Sequence, residues 1–319
     1  MSTLTFKRSQ SMNNNFKVSA IGLAFAGLAA LASPAVAEEI TLFQPGQSAW
    51  EWLLVPSKHD GGKRIREGKS CLFCHDGEQA AIGNAVVSGH ELEPSPIAGM
   101  PGTLAMTVSA SYDDTNLYLS ACWQQPDSAT PWGDEEAEQH LTFMLGSSDL
   151  SLAPIAGCWA SCHNDMPDMP NASGEKLTKY LPGSRNKMTA TGGGTDIKPA
   201  AELQAQLAEG KYLEYWQLLL DGDQVSAARD GYFLDHRAKN PDSAVSGSGQ
   251  AGAGACSLQL VRPLAASGAG RHSLQEGVEY TLAVALHANH ASGRHHYTSF
   301  PMRFRLGAGG DAELTANRK

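Results

Sequence analysis

Residues 278–286 read VEYTLAVAL, with Val278, Tyr280, Leu282, Val284 and Leu286 at every second position and Thr281, Ala283 and Ala285 between them. Period two is the repeat of a strand, because successive side chains point to opposite faces. The pattern recurs near the C-terminus, where Met302, Phe304 and Leu306 alternate with Arg303 and Arg305. It also recurs over residues 104–111, 116–123, 140–146, 212–219, 230–236 and 256–262. Clusters of Gly, Pro, Asn and Asp separate these runs, a layout that predicts a mainly β chain built as a β-sandwich. Residues 199–209 are the exception and predict a short helix, with Pro199 at its first position and Gly210 as its stop. A hydrophobic content of 42% is enough for a packed core. The Gly-rich stretches TATGGGTD (189–196) and SAVSGSGQAGAGA (243–255) read as loops within the fold. Neither sits as a phosphate cradle between a strand and a helix.

The N-terminus carries Lys7, Arg8 and Lys17, then the apolar run AIGLAFAGLAALA, then SPAVA before Glu38 and Glu39. A basic start, an apolar stretch of about 13 residues and small residues at Ala35 and Ala37 make residues 1–37 a secretory signal peptide, too short for a membrane span. Residues 38–319 are then expected as a single exported domain, placed in the periplasm and not membrane-spanning. The whole chain has a formal charge of −9, and loss of a basic leader makes the remainder more acidic. Nucleic acid is excluded as a partner on charge.

Six cysteines in an exported chain ordinarily suggest disulfides. Four of them instead form two close pairs, each followed directly by histidine: CLFCH at 71–75 and CWASCH at 158–163. C-x-x-C-H is the signature of covalent haem attachment. Cys71 and Cys74 are the expected thioether links and His75 the iron ligand. A zinc half-site would need further ligands at similar spacing, and a redox-active C-x-x-C a βαβ setting. In the second pair one extra residue separates the cysteines, but the Cys-His adjacency is kept. Cys158, Cys162 and His163 therefore read as a second attachment site, with a Cys158–Cys162 disulfide as the competing reading. Cys122 and Cys256 read as buried free thiols, with a disulfide between them as the alternative.

The stretches SKHDGGKRIREGKSCLFCH, GHELEPSPIAG, DDTNLYLSACW, AGCWASCHNDMPDMP, LAEGKYLEYWQLLLDG and GRHHYTSFPMRFRLG cover nearly the whole exported part. Through them the sequence resembles the exported dihaem cytochromes of the cytochrome c-552/DMSO reductase-like haem-binding domain family, relatives of the ethylbenzene dehydrogenase gamma subunits. The gamma subunits hold a non-covalent b-type haem, whereas this sequence offers two covalent sites. The resemblance implies an immunoglobulin-like β-sandwich with haem-bearing loops and one or two short helices, and an N-terminal c-haem insertion at about 56–100. It also implies two c-type haems.

Each iron needs a second axial ligand. For the first haem, His59 lies in a loop 16 residues before His75 and at the matching position of the family's stretch, with His90 as the alternative. For the second, the cluster HANHASGRHHYTSF supplies His287, His290, His295 and His296. The resemblance favours His296 and then His290. Met166 and Met169 follow His163 too closely to reach the opposite face, and read as packing residues. Among the tryptophans only Trp159 is tied to haem by position.

Two bis-histidine haems leave no open iron position, so the expected role is single-electron transfer. The expected partners are redox proteins, a membrane quinol-oxidising cytochrome as donor and a periplasmic reductase as acceptor. A haem enzyme of reductase or peroxidase type, or a gas sensor with one open iron position, is the alternative.

Overall fold

The computed structural model describes residues 37–45, 61–89, 98–126, 130–133, 136–163, 179–188, 194, 196–251, 257–291 and 295–319, with only the backbone of Cys162 and His163. Every described residue belongs to one compact unit, 33–319.

The strands in chain order are β1 (Ala37–Phe43), β2 (Thr103–Tyr112), β3 (Asn116–Trp123), β4 (Gln139–Gly146), β5 (Cys162–His163), β6 (Lys179–Tyr180), β7 (Leu213–Asp221) and β8 (Gln224–Phe233). They continue with β9 (Arg237–Lys239), β10 (Ser246–Ser248), β11 (Gln259–Pro263), β12 (Glu279–His287), β13 (Tyr297–Thr298), β14 (Met302–Leu306) and β15 (Leu314–Arg318). The helices are α1 (Gly62–Arg66), α2 (Cys71–His75), α3 (Gln79–Val87), α4 (Ala153–Ala156) and α5 (Ala200–Ala208). All eight runs of period two contain a strand. Helix α5 falls where expected, although Pro199 caps it with ψ 144° instead of opening it. The expectation of one or two helices is too low. Helices α1, α2 and α4 have four or five residues, too few to display a 3.6-residue period.

The expected two-sheet sandwich is replaced by one sheet. Among the described residues thirteen strands hydrogen-bond into a single sheet, and only β5 and β6 pair apart from it. Strands β13 and β14 are two halves of one interrupted strand along the same edge of β12, pairing at Leu286↔Tyr297 and at Leu282↔Met302. The break falls at residues 299–301, where Pro301 has no N–H to donate. Ser299 bridges it, its Oγ accepting from Val284 N–H at 3.0 Å. In the same way β1 and β15 share one edge of β2, β1 antiparallel and β15 parallel. The outer ends meet through the antiparallel bridge Gln224↔Gln250 and the bond from Ala251 N–H to the Asp223 carbonyl at 2.8 Å. The sheet therefore curls into a barrel, which leaves few exposed edges.

Two apolar clusters lie on opposite faces of the sheet. The main core holds Val108, Leu119, Leu141, Phe143, Trp216, Leu282, Val284 and Phe304. Strands β2 and β3 alternate buried and half-buried residues, as expected for strands with one face packed. In β4, β7 and β12 nearly every residue is buried. A second cluster covers their other face, taking Met144 from β4, Leu213 and Tyr215 from β7, and Ala283 and Ala285 from β12. Each large side chain so buried contributes roughly 1.5–3 kcal/mol.

One charged pair is sealed inside the fold. Arg262 on β11 donates from Nη2 to both carboxylate oxygens of Glu214 on β7, at 3.0 Å each. Glu214 also accepts from Trp216 Nε1 at 2.5 Å and from His272 N–H at 2.7 Å.

Cys122 is disulfide-bonded, which overturns its reading as a free thiol; Cys256 lies outside the described residues. Cys122 sits half-buried on the face of β3 away from the main core. A half-buried sulfur on that face is open to a neighbouring segment, so its place on the strand is no obstacle to a bond.

Candidate haem-binding sites

The first Cys-His motif forms a helical turn. Ser70 caps α2 in extended backbone, its Oγ accepting from Phe73 N–H at 3.3 Å. One helical turn brings residues i and i+3 to the same side, so Cys71 and Cys74 are presented together, with His75 one position on. Glu78 lies 2.8 Å from His75 Nδ1. Such a carboxylate partner fixes the ring's orientation and tautomer, so Nε2 is the nitrogen that could serve a metal. Cys71 is buried while Cys74 is exposed. Burial pushes the Cys71 thiol up to about 12.

The second motif is built differently. Gly157, with φ 51° and ψ −123°, begins a 3-10 turn over Gly157–Ala160. A side chain there would press on Ala283 and Pro301, with a Cβ 3.2 Å from the Cβ of each. The chain then extends, and Cys162 and His163 pair with Tyr180 and Lys179 as β5 and β6. The additional residue between the cysteines is thus absorbed by a 3-10 turn followed by a strand. Cys158 is buried, and burial pushes its thiol up despite a hydrogen bond with Thr298.

Both motifs contribute to the second cluster, which contains Cys71, Cys158, Phe43 and Phe300, with Trp159 packed on it. Trp159 meets Phe43 and Phe300 edge-on, with ring centroids 5.4 Å apart in each case. Trp123 and Trp216 belong to the main core instead.

The face that carries Cys158 also carries histidines. Ala285 pairs with Thr298, the partner of Cys158, and lies on the second-cluster side of β12. Two residues along a strand advance about 7 Å and return to the same face. That step leads from Ala285 to His287 and from Thr298 back to His296. The two imidazoles stack with centroids 4.7 Å apart and planes at 19°. On β4, His140 pairs directly with His287, their centroids 6.0 Å apart. His140 and His296 are buried, at 9% and 6% exposure. His290 sits in a left-handed turn with Asn289, at φ 59°. His140 went unnoticed in the sequence because only the β4–β12 register brings it to His287.

His59, His90, Met166 and Met169 lie outside the described residues, as do the side chains of Cys162 and His163. Among the described residues no three His, Cys, Asp or Glu side chains converge as a self-contained metal site, and no helix is long and apolar enough to cross a membrane. The donors present fit haem better than a bare ion: paired thiols beside an oriented imidazole, an apolar aromatic surround, and buried imidazoles on the facing strands.

No protein-family model matches the chain. It is 32% identical over 322 residues to a protein named cytochrome c-552 from Stutzerimonas stutzeri, an alignment covering 97% of this chain and all of that relative. It is 27% identical over 276 residues to cytochrome c-551 from Rhodocyclus tenuis, covering 86% of this chain and 92% of that protein. These likenesses, with the Cys-His motifs, define the chain as a c-type cytochrome, the class that holds its haem covalently. It belongs to the family of the Stutzerimonas cytochrome c-552.

Proposed function

We propose that this cytochrome is a periplasmic dihaem protein carrying single electrons between redox proteins. One haem would be held by Cys71, Cys74 and His75, the other by Cys158, Cys162 and His163. His59 is the proposed second ligand of the first iron and His296 of the second. Haem supplies the one-electron Fe(III)/Fe(II) couple, and the chain sets its potential through ligands, burial and hydrogen bonding. Glu78 orients His75. Phe43, Trp159 and Phe300 exclude water beside Cys158, and a drier surround favours the less charged form of the couple.

The observation that carries this reading is that Cys71 and Cys158 belong to one apolar cluster, on the sheet face that also presents His296. Haems at both motifs would then lie within one domain, in reach of transfer between them. A membrane quinol-oxidising cytochrome as donor and a periplasmic reductase as acceptor complete the proposal. Its test is spectroscopic. Electron paramagnetic resonance of the oxidised holoprotein should show two low-spin ferric centres, and the reduced protein should not bind carbon monoxide. A high-spin centre that binds carbon monoxide would favour the enzyme or sensor reading.

A further inference from the structure

The chain is acidic, with a net charge of −9, yet the segment leading into the first motif has the opposite sign. Lys63, Arg64 and Arg66 on α1 and Lys69 after it are all exposed, against the single acid Glu67. Lys63 and Glu67 approach only to 3.9 Å, with side chains 80% and 56% exposed, so their pairing offsets little of this charge. Asp76 and Glu78 follow the motif, and the Glu78 carboxylate is engaged by His75. At the centre stands Phe73, between the two cysteines and 56% exposed, the most exposed large apolar side chain among the described residues. Arg64 and Lys69 lie over its ring, 5.7 and 5.0 Å from the centroid, and Arg64 also reaches Cys74 Sγ at 3.7 Å.

An aromatic centre ringed by cations has the composition of a protein-binding patch, since aromatic residues and Arg are enriched at such interfaces. We propose that Phe73 with Lys63, Arg64 and Lys69 is a docking surface for the carboxylate-rich face of a redox protein, and that electrons cross there to the first haem. The inference rests on the reading of residues 71–75 as a haem site. It deepens that reading by assigning this haem, and not the second, to the acidic partner. At about 0.1 M salt the screening length is about 10 Å, so an approaching anion responds to the charges around Phe73, where the cations outnumber Glu67 and Asp76, more than to acids elsewhere on the molecule. An anionic membrane surface is the less favoured occupant, because a broad lipid plane meets the whole acidic molecule while a protein contact meets only the patch.

The test uses the exported holoprotein and the anionic reductant Fe(II)-EDTA, whose iron gives up one electron as one haem iron passes from Fe(III) to Fe(II). Stopped-flow traces at ionic strengths from about 0.1 to about 1 M span screening lengths of about 10 to about 3 Å. One kinetic phase should slow several-fold as salt rises. The double variant Lys63→Glu with Lys69→Glu should invert that dependence, while Lys211→Glu, at an exposed position elsewhere, should leave it in place. A rate that rises with salt in every phase, as the net charge alone dictates, would overturn the proposal. Sedimentation with vesicles of equal parts phosphatidylcholine and phosphatidylglycerol should leave the protein in solution, and binding that the double variant abolishes would assign the patch to lipid instead. A 71–75 peptide without attached haem after digestion would instead show failure of the underlying haem reading, whatever the kinetics.

Discussion

At the scale of single residues, the environment of the proposed ligand His296 differs from that of a histidine built into the scaffold. His296 is buried beside His287 on the face that packs Cys158, whereas His272 serves the fold. His272 stacks on Tyr212 with centroids 4.2 Å apart and planes at 9°, and it is 8% exposed. Burial, aided by the nearby Arg262 and opposed by Asp149, lowers its pKa to about 4 from an ordinary 6.5. The unfolded chain thus binds a proton below pH 6.5 that the folded chain refuses until about pH 4. Stability from this residue is complete above the unfolded value and is lost as pH falls towards 4, a change of about 3 kcal/mol at 1.36 kcal/mol per unit. Denaturant unfolding between pH 7 and 4 should show this loss, and His272→Phe should flatten that part of the profile. An unchanged profile would mean that the ring is already solvated. His296→Ala carries the other prediction: one ferric centre becomes high-spin and its reduced form binds carbon monoxide, while the other stays low-spin. His287→Ala should leave both low-spin. The reverse pattern would move the ligand one strand across.

At the scale of elements, the sealed Glu214–Arg262 pair ties β7 to β11 across the barrel. Removal of one partner from a buried pair leaves an uncompensated charge, so Arg262→Met should cost roughly 3–5 kcal/mol in denaturant unfolding. Arg303→Met should change stability by less than about 1 kcal/mol, because its pairing with Glu313 and Asp311 is exposed. The strands were legible in the sequence wherever one face is packed: TLAMTVSASY and NLYLSACW alternate in letters as they do in burial. Closure into a barrel was not legible, because it depends on β15 running parallel beside β2 and on the bridge at Gln224, contacts far apart in the chain. Short helices were hidden for lack of length, and β13 for lack of residues. The same division holds at the site. CLFCH is local and reads directly, while the row His140, His287 and His296 exists only once β4, β12 and β13 are in register.

At the scale of the molecule, the fold is a barrel whose interior is an apolar core around the Glu214–Arg262 pair and whose Cys-His motifs lie outside it, in the layer over β4, β7 and β12. That layer is supplied by the insertion between β1 and β2 and by the segment after β4, and each brings one Cys-His motif. The arrangement explains why β4, β7 and β12 are buried on both faces, and why two Cys-His motifs more than eighty residues apart contribute to one cluster. The account stands on two haems bound through these cysteines, and the intact mass of the exported protein under denaturing conditions measures that directly. The expected mass is the polypeptide plus two haem increments, falling to one increment in Cys71→Ala with Cys74→Ala and to the other alone in Cys158→Ala with Cys162→Ala. A wild-type mass with a single increment, unchanged by the second pair of substitutions, would contradict it.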